Sequence, residues 1–306
     1  NHGRAAVLGD WGTNLYGAPK CRESIERDAQ EFTMLLHLGD VYYSGTSKEV
    51  SERFLNAWPA RKDKNLIHRA LNSNHEMYSG GDAYFGLTLP AFRQSSSYFA
   101  MANDHWVLVG LDTAYGLDSA LQDHDIDEEQ VKWIEDVLDH PQAKKKKVLF
   151  MSHHQLYSQF ESQGDKLASR LANLLSNGRV DAWIWGHEHR CVMYASHPDF
   201  GGLKASCIGH GGMPDTRSKK VTQLSVAQRH QTPSGEMQWR SFDPLMEDGR
   251  QVCPGGLVLD GENLYIKGEE REFSPHGYAV LNFKGADLIE EIYTPDGTVI
   301  HTRNLA

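Results

Sequence analysis

Five apolar runs in the first two thirds of the chain end abruptly in Asp, Asn or His. The run at residues 35–38 is typical of a strand buried on both faces of a parallel sheet, and it ends at Gly39-Asp40. The other four are residues 5–8 before Asp10, 66–71 before Asn74, 148–151 before His153, and 182–185 before His187. Because open α/β sheets bind ligands at the carboxyl ends of their strands, we expect these polar side chains to meet in one crevice.

Helical patterns lie between most of these runs. Predicted helices begin near Gly17 and cover residues 50–58, 131–138 and 167–175. Two β-rich runs, residues 97–101 and 105–112, flank Asn103-Asp104 and predict a hairpin. Strands that alternate with helices up to residue 185 indicate parallel β-α units, and therefore the α/β fold class.

The pattern changes after residue 185. Residues 204–208 predict one more strand, whereas residues 216–252 are polar and have few periodic apolar positions. We therefore interpret residues 213–276 as a long insertion or lid. Residues 277–305 alternate apolar and polar side chains around a turn, which predicts antiparallel strands. With no repeat and no linker, a single domain over residues 1–306 is expected.

Composition limits the class of protein. The 306 residues are 40% hydrophobic and 24% charged, which is typical of a globular enzyme. A formal net charge of −10 argues against binding to duplex nucleic acid. The four cysteines form no C-x-x-C pair, so free thiols are expected, and they are Cys21, Cys191, Cys207 and Cys253.

The sequence does not indicate a compartment. It has no run of about 18 apolar residues, so no transmembrane helix or membrane association is expected. No targeting signal is visible at the start. A first strand only a few residues after Asn1 is what we expect of a trimmed or mature chain.

The polar strand ends predict metal chemistry. Asp, Asn, His and Tyr supply oxygen and imidazole ligands that suit divalent or trivalent cations. A carboxylate shared by two ions about 3.5–4 Å apart is the geometry that stabilises the attacking and leaving oxygens of phosphoryl transfer, and Asp40 is the expected bridge. A lone Gly-Asp is most often a turn, but turns alone do not explain five such ends in this order.

These blocks resemble those of the calcineurin-like metallophosphoesterases, and specifically the purple acid phosphatase branch. The blocks are Gly9-Asp10-Trp11-Gly12, Gly39-Asp40-Val41-Tyr42-Tyr43, Asn74-His75-Glu76, Ser152-His153 and Gly186-His187-Glu188-His189. The resemblance covers residues 5–212, and residues 277–305 are similar to the closing strands of that branch. It implies an α/β fold, a two-layered αββα sandwich with a dinuclear metal site at the carboxyl ends of the strands.

Two positions favour the branch. Most of the superfamily begins with Asp-x-His, whereas Gly12 stands at the His position and cannot bind a metal. The branch has Gly-Asp-x-x-Tyr instead, which places Tyr43 as a phenolate ligand of the harder ion. A trivalent cation such as iron lowers the pKa of a phenol far enough for this. The alternative is that Tyr43 is only an aromatic residue at a strand end.

The resemblance also implies two ligand sets that share Asp40. Site one would hold iron and consist of Asp10, Asp40, Tyr43 and His189. Site two would hold iron, zinc or manganese and consist of Asp40, Asn74, His153 and His187.

His75, which follows the ligand Asn74, is implied as the general acid rather than a ligand. Metal-bound hydroxide would attack phosphorus, and His75 would protonate the leaving oxygen, which typically contributes about 10²–10⁴-fold. The alternative is a His that caps a helix or fills the core.

Several positions depart from the family pattern or leave their role open. Ser73 replaces the usual Gly of the third block, which puts a close backbone approach in doubt. Ser162-Gln163 stands where the family commonly has another imidazole. His154 is a candidate to replace it, although strand alternation would point its ring away. His210, between glycines at a strand end, is expected to face solvent and orient a ligand or phosphate.

The implied function is a metal-dependent phosphoesterase, acid-phosphatase-like and acting on phosphate monoesters of small molecules or phosphoproteins. A phosphodiesterase, including one for cyclic nucleotides, would use the same site and stays open. An inactive binding or scaffold protein is a minor alternative, because a degenerate relative is expected to lose ligands first. The sequence does not indicate an oligomeric state.

Overall fold

The structure, a computed structural model, describes residues 2–116 and 125–306. Its strands are β1 His2–Leu8, β2 Met34–His37, β3 Ile67–Ala70, β4 Phe99–Ala102, β5 Trp106–Gly110, β6 Lys147–Ser152, β7 Ala182–Trp185, β8 Cys191–Tyr194, β9 Lys204–Ile208, β10 Ser225–Thr232, β11 Gly235–Phe242, β12 Leu245–Glu247, β13 Arg250–Cys253, β14 Gly256–Gly261, β15 Tyr278–Lys284, β16 Asp287–Tyr293 and β17 Val299–Asn304. The α-helices are α1 Ala18–Arg27, α2 Ser47–Glu49, α3 Asn74–Met77, α4 Leu89–Ala91, α5 Glu128–Asp139, α6 Asp165–Arg170, α7 Ala172–Ser176 and α8 Lys219–Thr222.

Two large sheets contain all but two of these strands. The first has the order β17-β16-β15-β1-β2-β3, and the second has the order β10-β11-β14-β8-β9-β7-β6-β5-β4. Strands β1, β2 and β3 run parallel to one another, as do β5, β6, β7 and β9. The parallel units predicted up to residue 185 are therefore confirmed.

The sheets pack against each other and carry helices on their outer faces. Along β6, Leu149 and Met151 point into the core between the sheets, whereas Val148 and Phe150 point into an outer core that also contains Ile134 of α5. The first sheet has the same alternation, with a second outer core beneath α1. A strand buried on both faces needs a continuous apolar run, which is the pattern seen in the sequence. The layers form the expected αββα sandwich.

Several predicted elements are confirmed and others need correction. Strands β4 and β5 form the predicted hairpin, and β15 to β17 form the antiparallel closing strands. Residues 50–58, predicted as one helix, instead form a π-helical turn, Val50–Phe54, and a 3₁₀ turn, Leu55–Ala57. The helix ends before Trp58, which is extended because Pro59 follows it. The helix predicted at residues 167–175 is broken at Leu171 into α6 and α7.

The polar segment at residues 213–276 contains regular strands. Its β10, β11 and β14 extend the second sheet beyond β8. β10 is an edge strand whose side chains are mostly exposed, so it shows no apolar alternation in the sequence. Within the described residues, no helix is both long and apolar enough to cross a membrane. All four cysteines are buried free thiols, as expected.

Candidate metal centre

The carboxyl ends of the parallel strands meet at one edge of the sandwich and bring the predicted polar residues together. Four of these residues have a left-handed backbone, with φ of 54° at Asp10, 75° at Asp40, 68° at His187 and 50° at His189. Such conformations cost non-glycine residues about 1 kcal/mol or more each, and they concentrate at functional sites. Gly186 allows the backbone to approach closely, because a Cβ there would lie 2.6 Å from Oδ2 of Asp10.

Two buried carboxylates form the centre of the site. Oδ2 of Asp10 accepts a 2.8 Å hydrogen bond from the His187 amide. The Tyr42 hydroxyl lies 2.7 Å from Oδ2 of Asp40 and 3.2 Å from Oδ1 of Asp10, so it joins the two side chains. Nε2 of His189 lies 2.8 Å from the same hydroxyl and 3.5 Å from Oδ1 of Asp10.

The structure places Tyr42, and not Tyr43, in this group. The Tyr42 side chain is buried, whereas Tyr43 is 61% exposed and its ring packs against His75 and Tyr78. The Gly-Asp-x-x-Tyr pattern favours Tyr43, because Tyr43 is three positions after Asp40. The physical reason for the difference is that β2 ends at His37, so no strand alternation continues through Asp40 to fix which ring turns inward.

Burial and mutual charge shift the pKa values of this group. Burial, and then the charge of Asp40, raises the pKa of Asp10 well above its ordinary value. Burial acts on Asp40 in the same direction, but the imidazoles of His153, His189 and His75 hold its pKa well below the usual range. Burial and the two carboxylates raise the pKa of Tyr42. A phenolate at Tyr42 therefore needs a cation beside it.

A second group of electron-rich atoms faces the other oxygen of Asp40. Nε2 of His153 lies 3.2 Å from Oδ1 of Asp40, 2.9 Å from Oδ1 of Asn74 and 3.2 Å from Nδ1 of His187. Nδ1 of His153 lies 2.8 Å from the Leu38 carbonyl oxygen, to which it donates a hydrogen bond. A backbone carbonyl that fixes Nδ1–H leaves Nε2 as a lone-pair donor, which is the usual arrangement of a metal-binding His.

His75 lies at the border between the two groups. Its Nδ1 donates a 2.5 Å hydrogen bond to the Tyr43 carbonyl oxygen, and its Nε2 lies 3.8 Å from Oδ2 of Asp40. Only 7% of its surface is exposed. The ring is therefore held by one nitrogen while the other points toward the carboxylate pair.

Ser73 and Glu76 both form hydrogen bonds with Asp40. The Ser73 hydroxyl donates a 2.5 Å hydrogen bond to Oδ1 of Asp40, and it also caps α3 by accepting from the His75 amide. Glu76 is in hydrogen-bond contact with Ser73 and accepts from the Asp40 amide at 3.2 Å. Burial, and then the charge of Asp40, raises the pKa of Glu76 to about 8. The Ser that replaces the usual Gly thus orients the carboxylate directly.

His154 lies beside the second group. Its ring centroid is 4.6 Å from that of His187, and its Nδ1 lies 2.9 Å from the Thr113 hydroxyl. The expectation that strand alternation would turn it away is wrong, because β6 ends at Ser152 and its pleat does not continue to residue 154.

His210 is completely buried, so the expectation of a solvent-facing ring is also wrong. The loop before β15 covers it, and its carbonyl accepts a 2.9 Å hydrogen bond from the Gly277 amide. Burial, and then the nearby His276, lowers the pKa of His210 to about 3. Neither ring nitrogen has a hydrogen-bond partner among the described residues.

The donor set fits metal ions. Ligand atoms of Asp10, Asp40 and His153 lie within 4.8 Å of one another, and so do those of His153, His154 and His187. No Lys or Arg among residues 2–116 and 125–306 forms an ion pair with Asp10 or Asp40. Buried carboxylates that face imidazoles but no Lys or Arg are expected to be neutralised by a cation or by protons.

The model of the calcineurin-like phosphoesterase family matches residues 3–191. The chain belongs to this family. No curated protein is significantly similar to this calcineurin-like phosphoesterase in sequence.

Solved structures that resemble this calcineurin-like phosphoesterase share its fold at low sequence identity. A purple acid phosphatase from yellow lupin, Lupinus luteus, is 15% identical with a TM-score of 0.63, and the match covers 99% of this chain and 53% of the lupin chain. The chain thus spans about half the length of that protein. A dimetal phosphatase from Danio rerio is 13% identical with a TM-score of 0.58, covering 99% of this chain and 98% of that one. GAP50, the anchor in the inner membrane complex of Plasmodium, is 13% identical with a TM-score of 0.64, covering 99% and 88%.

The sequence patterns did not indicate two residues of the candidate metal centre of this calcineurin-like phosphoesterase, Tyr42 and Glu76. Tyr42 gave no signal beyond its place after Val41 in the second block. Glu76 stood in the third block without an assigned role, although an acidic residue directly after two predicted site residues, Asn74 and His75, is a candidate hydrogen-bond acceptor.

Proposed function

We propose that this calcineurin-like phosphoesterase hydrolyses phosphate monoesters at a dinuclear metal centre of the purple acid phosphatase type. The observation that carries the proposal is the position of Asp40. Its Oδ1 lies 3.2 Å from Nε2 of His153, and its Oδ2 lies 2.7 Å from the Tyr42 hydroxyl. Its two oxygens therefore lie beside two different ligand groups. A carboxylate in this position is suited to bridge two cations.

The residues divide into two ligand sets. Site one consists of Asp10, Asp40, Tyr42 and His189, with Tyr42 in the role that the sequence pattern gave to Tyr43. Site two consists of Asp40, Asn74, His153 and His187, with His154 beside it. We assign iron to site one, because a phenol oxygen and two carboxylates suit a hard cation. Site two suits iron, zinc or manganese.

The bound cations would supply a nucleophile from water at neutral pH and neutralise charge on the phosphoryl group. Residues of the chain set the geometry for this chemistry. The Ser73 hydroxyl donates to the Asp40 carboxylate, Glu76 accepts from the Asp40 amide, and the Leu38 carbonyl fixes the His153 ring. Holding these groups before the substrate binds removes the need to reorganise them during the reaction.

His75 is proposed as the general acid. The Tyr43 carbonyl accepts from Nδ1–H, so His75 would act as the doubly protonated imidazolium and donate the second proton, the one on Nε2. Nε2 points toward the edge of the carboxylate pair, where the leaving oxygen of an ester would lie. A proton given to this oxygen lets it depart as an alcohol rather than an alkoxide.

The substrate class is tested by an activity panel with metal analysis on the same preparation. The panel contains small phosphate monoesters, a phosphoprotein, a phosphodiester and a cyclic nucleotide. Faster hydrolysis of the monoesters, with about two metal ions bound, supports the proposal. Hydrolysis of the diesters alone would instead support the phosphodiesterase alternative. A metal-free protein without activity on any ester would support the binding or scaffold alternative.

A further inference from the structure

The exposed aromatic side chains of this protein are concentrated on one face. Four aromatic residues in the described part of the chain are strongly exposed, namely Tyr16 at 42%, Tyr43 at 61%, Tyr78 at 45% and Tyr115 at 61%. They lie on the connections that follow β1, β2, β3 and β5, and therefore all at the carboxyl edge that holds the metal centre. Singly scattered exposed apolar residues are normal, but a group at one site indicates binding.

Two of these residues flank the proposed general acid, and we call Tyr43 and Tyr78 the tyrosine pair. The ring centroid of His75 lies 5.0 Å from that of Tyr43 and 4.7 Å from that of Tyr78. The two tyrosine rings are 6.3 Å apart and inclined by 37°. A group attached to an oxygen beside Nε2 of His75 would lie within reach of both rings.

The hydrogen bonds that Tyr43 and Tyr78 make within the protein do not require their rings to be exposed. Tyr43 is anchored by its backbone, because its amide donates a 2.5 Å hydrogen bond to Oε1 of Glu49 and its carbonyl accepts from His75. The Tyr78 hydroxyl accepts a 3.0 Å hydrogen bond from Nδ2 of Asn74, which orients that amide. This contact uses the hydroxyl, and Tyr78 remains 45% exposed. In both residues the aromatic surface is free to contact a ligand.

We propose that the tyrosine pair selects phosphate monoesters whose leaving group carries an aromatic ring within one or two bonds of the ester oxygen. The inference rests on the proposed function, since it places the leaving oxygen beside His75. Offset or edge-to-face contacts with an aromatic ring are favourable, whereas a saturated ring of similar size lacks the quadrupole that stabilises them. Small aryl or arylalkyl phosphates and phosphotyrosine both present this chemistry.

The test compares benzyl phosphate with cyclohexylmethyl phosphate. Both release a primary alcohol and have rings of similar size, so they differ mainly in aromaticity. We expect wild-type kcat/KM to favour benzyl phosphate. In Tyr43→Leu this preference is expected to fall by about 2- to 12-fold, the range given by one aromatic contact. The change should appear mainly in KM, because the rings bind the ester without transferring a proton.

Matched variants separate the ring from other effects. Tyr43→Phe keeps the ring and should keep the preference for benzyl phosphate. Tyr78→Leu is compared with Tyr78→Phe, since both lose the hydroxyl that contacts Asn74 and only the first loses the ring. This second pair decides the question if Tyr43→Leu does not fold. Assays with phenyl phosphate and with a phosphotyrosine peptide show whether the aromatic ring comes from a small ester or from a protein. Tyr43→Leu should lower the hydrolysis rate of whichever of the two the wild type accepts.

Failure of this inference differs from failure of the proposed function. If the Leu variants keep the wild-type preference while binding metal and hydrolysing cyclohexylmethyl phosphate, the tyrosine pair does not select the leaving group. A wild-type protein that binds metal but hydrolyses neither ester overturns the proposed function, and this inference with it.

Discussion

The Tyr42 hydroxyl lies 2.7 Å from Oδ2 of Asp40, only two residues before it in the chain. Tyr43, the next residue, has an exposed ring that packs beside His75, and its carbonyl accepts a hydrogen bond from that histidine. The two neighbouring tyrosines thus differ, because the Tyr42 hydroxyl faces the carboxylate pair whereas the Tyr43 ring is exposed. This difference leads to a direct comparison of two variants.

Tyr42→Phe should remove the colour of the iron-loaded protein, whereas Tyr43→Phe should keep it. A phenolate bound to ferric iron gives a visible charge-transfer band, and the Tyr42 hydroxyl is the one inside the ligand group. Visible spectra of both variants at matched iron content provide the measurement. Loss of the band in Tyr43→Phe alone would restore Tyr43 as the ligand.

His75→Ala should keep the metal content and lose rate by roughly 10²–10⁴-fold on an ester with a poor, alkyl leaving group. With an aryl leaving group, whose oxygen departs with little need for a proton, the loss should be clearly smaller. Steady-state kinetics on the two esters and elemental analysis of the same sample test this. If both esters slow equally, or if the metal is lost, His75 is a structural residue rather than the general acid.

Asp40→Ala should empty both metal sites, whereas Asp10→Ala should empty site one alone. The difference follows from geometry, because Asp40 faces both ligand groups, while Asp10 contacts Tyr42 and His189 on one side. Metal-to-protein ratios of the two variants give the measurement, and circular dichroism shows whether each is folded. A second ion retained by Asp40→Ala would show that Asp40 does not bridge.

Asp260 is expected to hold together parts of residues 213–276 that are distant in sequence. It lies in β14 and pairs with Arg217 at 2.7 Å and with Arg240 at 2.5 Å. Asp260→Asn should lower the free energy of unfolding by on the order of 2–3 kcal/mol, because it leaves two largely buried guanidinium groups without a carboxylate. Asp243→Asn, at an exposed position, is the control and should change stability little.

The effect of Asp260→Asn should depend on pH. Burial alone would raise the pKa of Asp260, but Arg217 and Arg240 hold it below the ordinary value. The stabilisation is therefore complete above the unfolded pKa of about 3.9 and is lost as pH falls through the lower folded value. Denaturant unfolding at pH 7 and near pH 3 should give a smaller difference between wild type and variant in acid. A constant difference would mean that the ion pairs do not stabilise the fold.

The sequence predicts the position of the site better than its details. Buried parallel strands require continuous apolar runs, so the strands ending at Asp10, Asp40, Asn74, His153 and His187 were visible, and the structure brings those ends together. Side-chain direction beyond a strand end depends on backbone angles that the pattern does not contain. Tyr42, Tyr43 and His154 all lie there, and their rings are placed differently from what the spacing predicts.

Two further differences arise from contacts distant in sequence. His210 looks accessible because glycines flank it, but the loop at Gly277 covers it. Residues 213–276 look irregular because an edge strand such as β10, exposed on both faces, has no apolar period. Whether this segment acts as a lid stays a prediction.

Elemental analysis of the purified wild-type protein tests the dinuclear centre most directly. The two ligand groups around Asp40 predict about two metal ions per chain, one of them iron. A protein that contains no transition metal, and takes none up on reconstitution with iron, zinc or manganese, would contradict it.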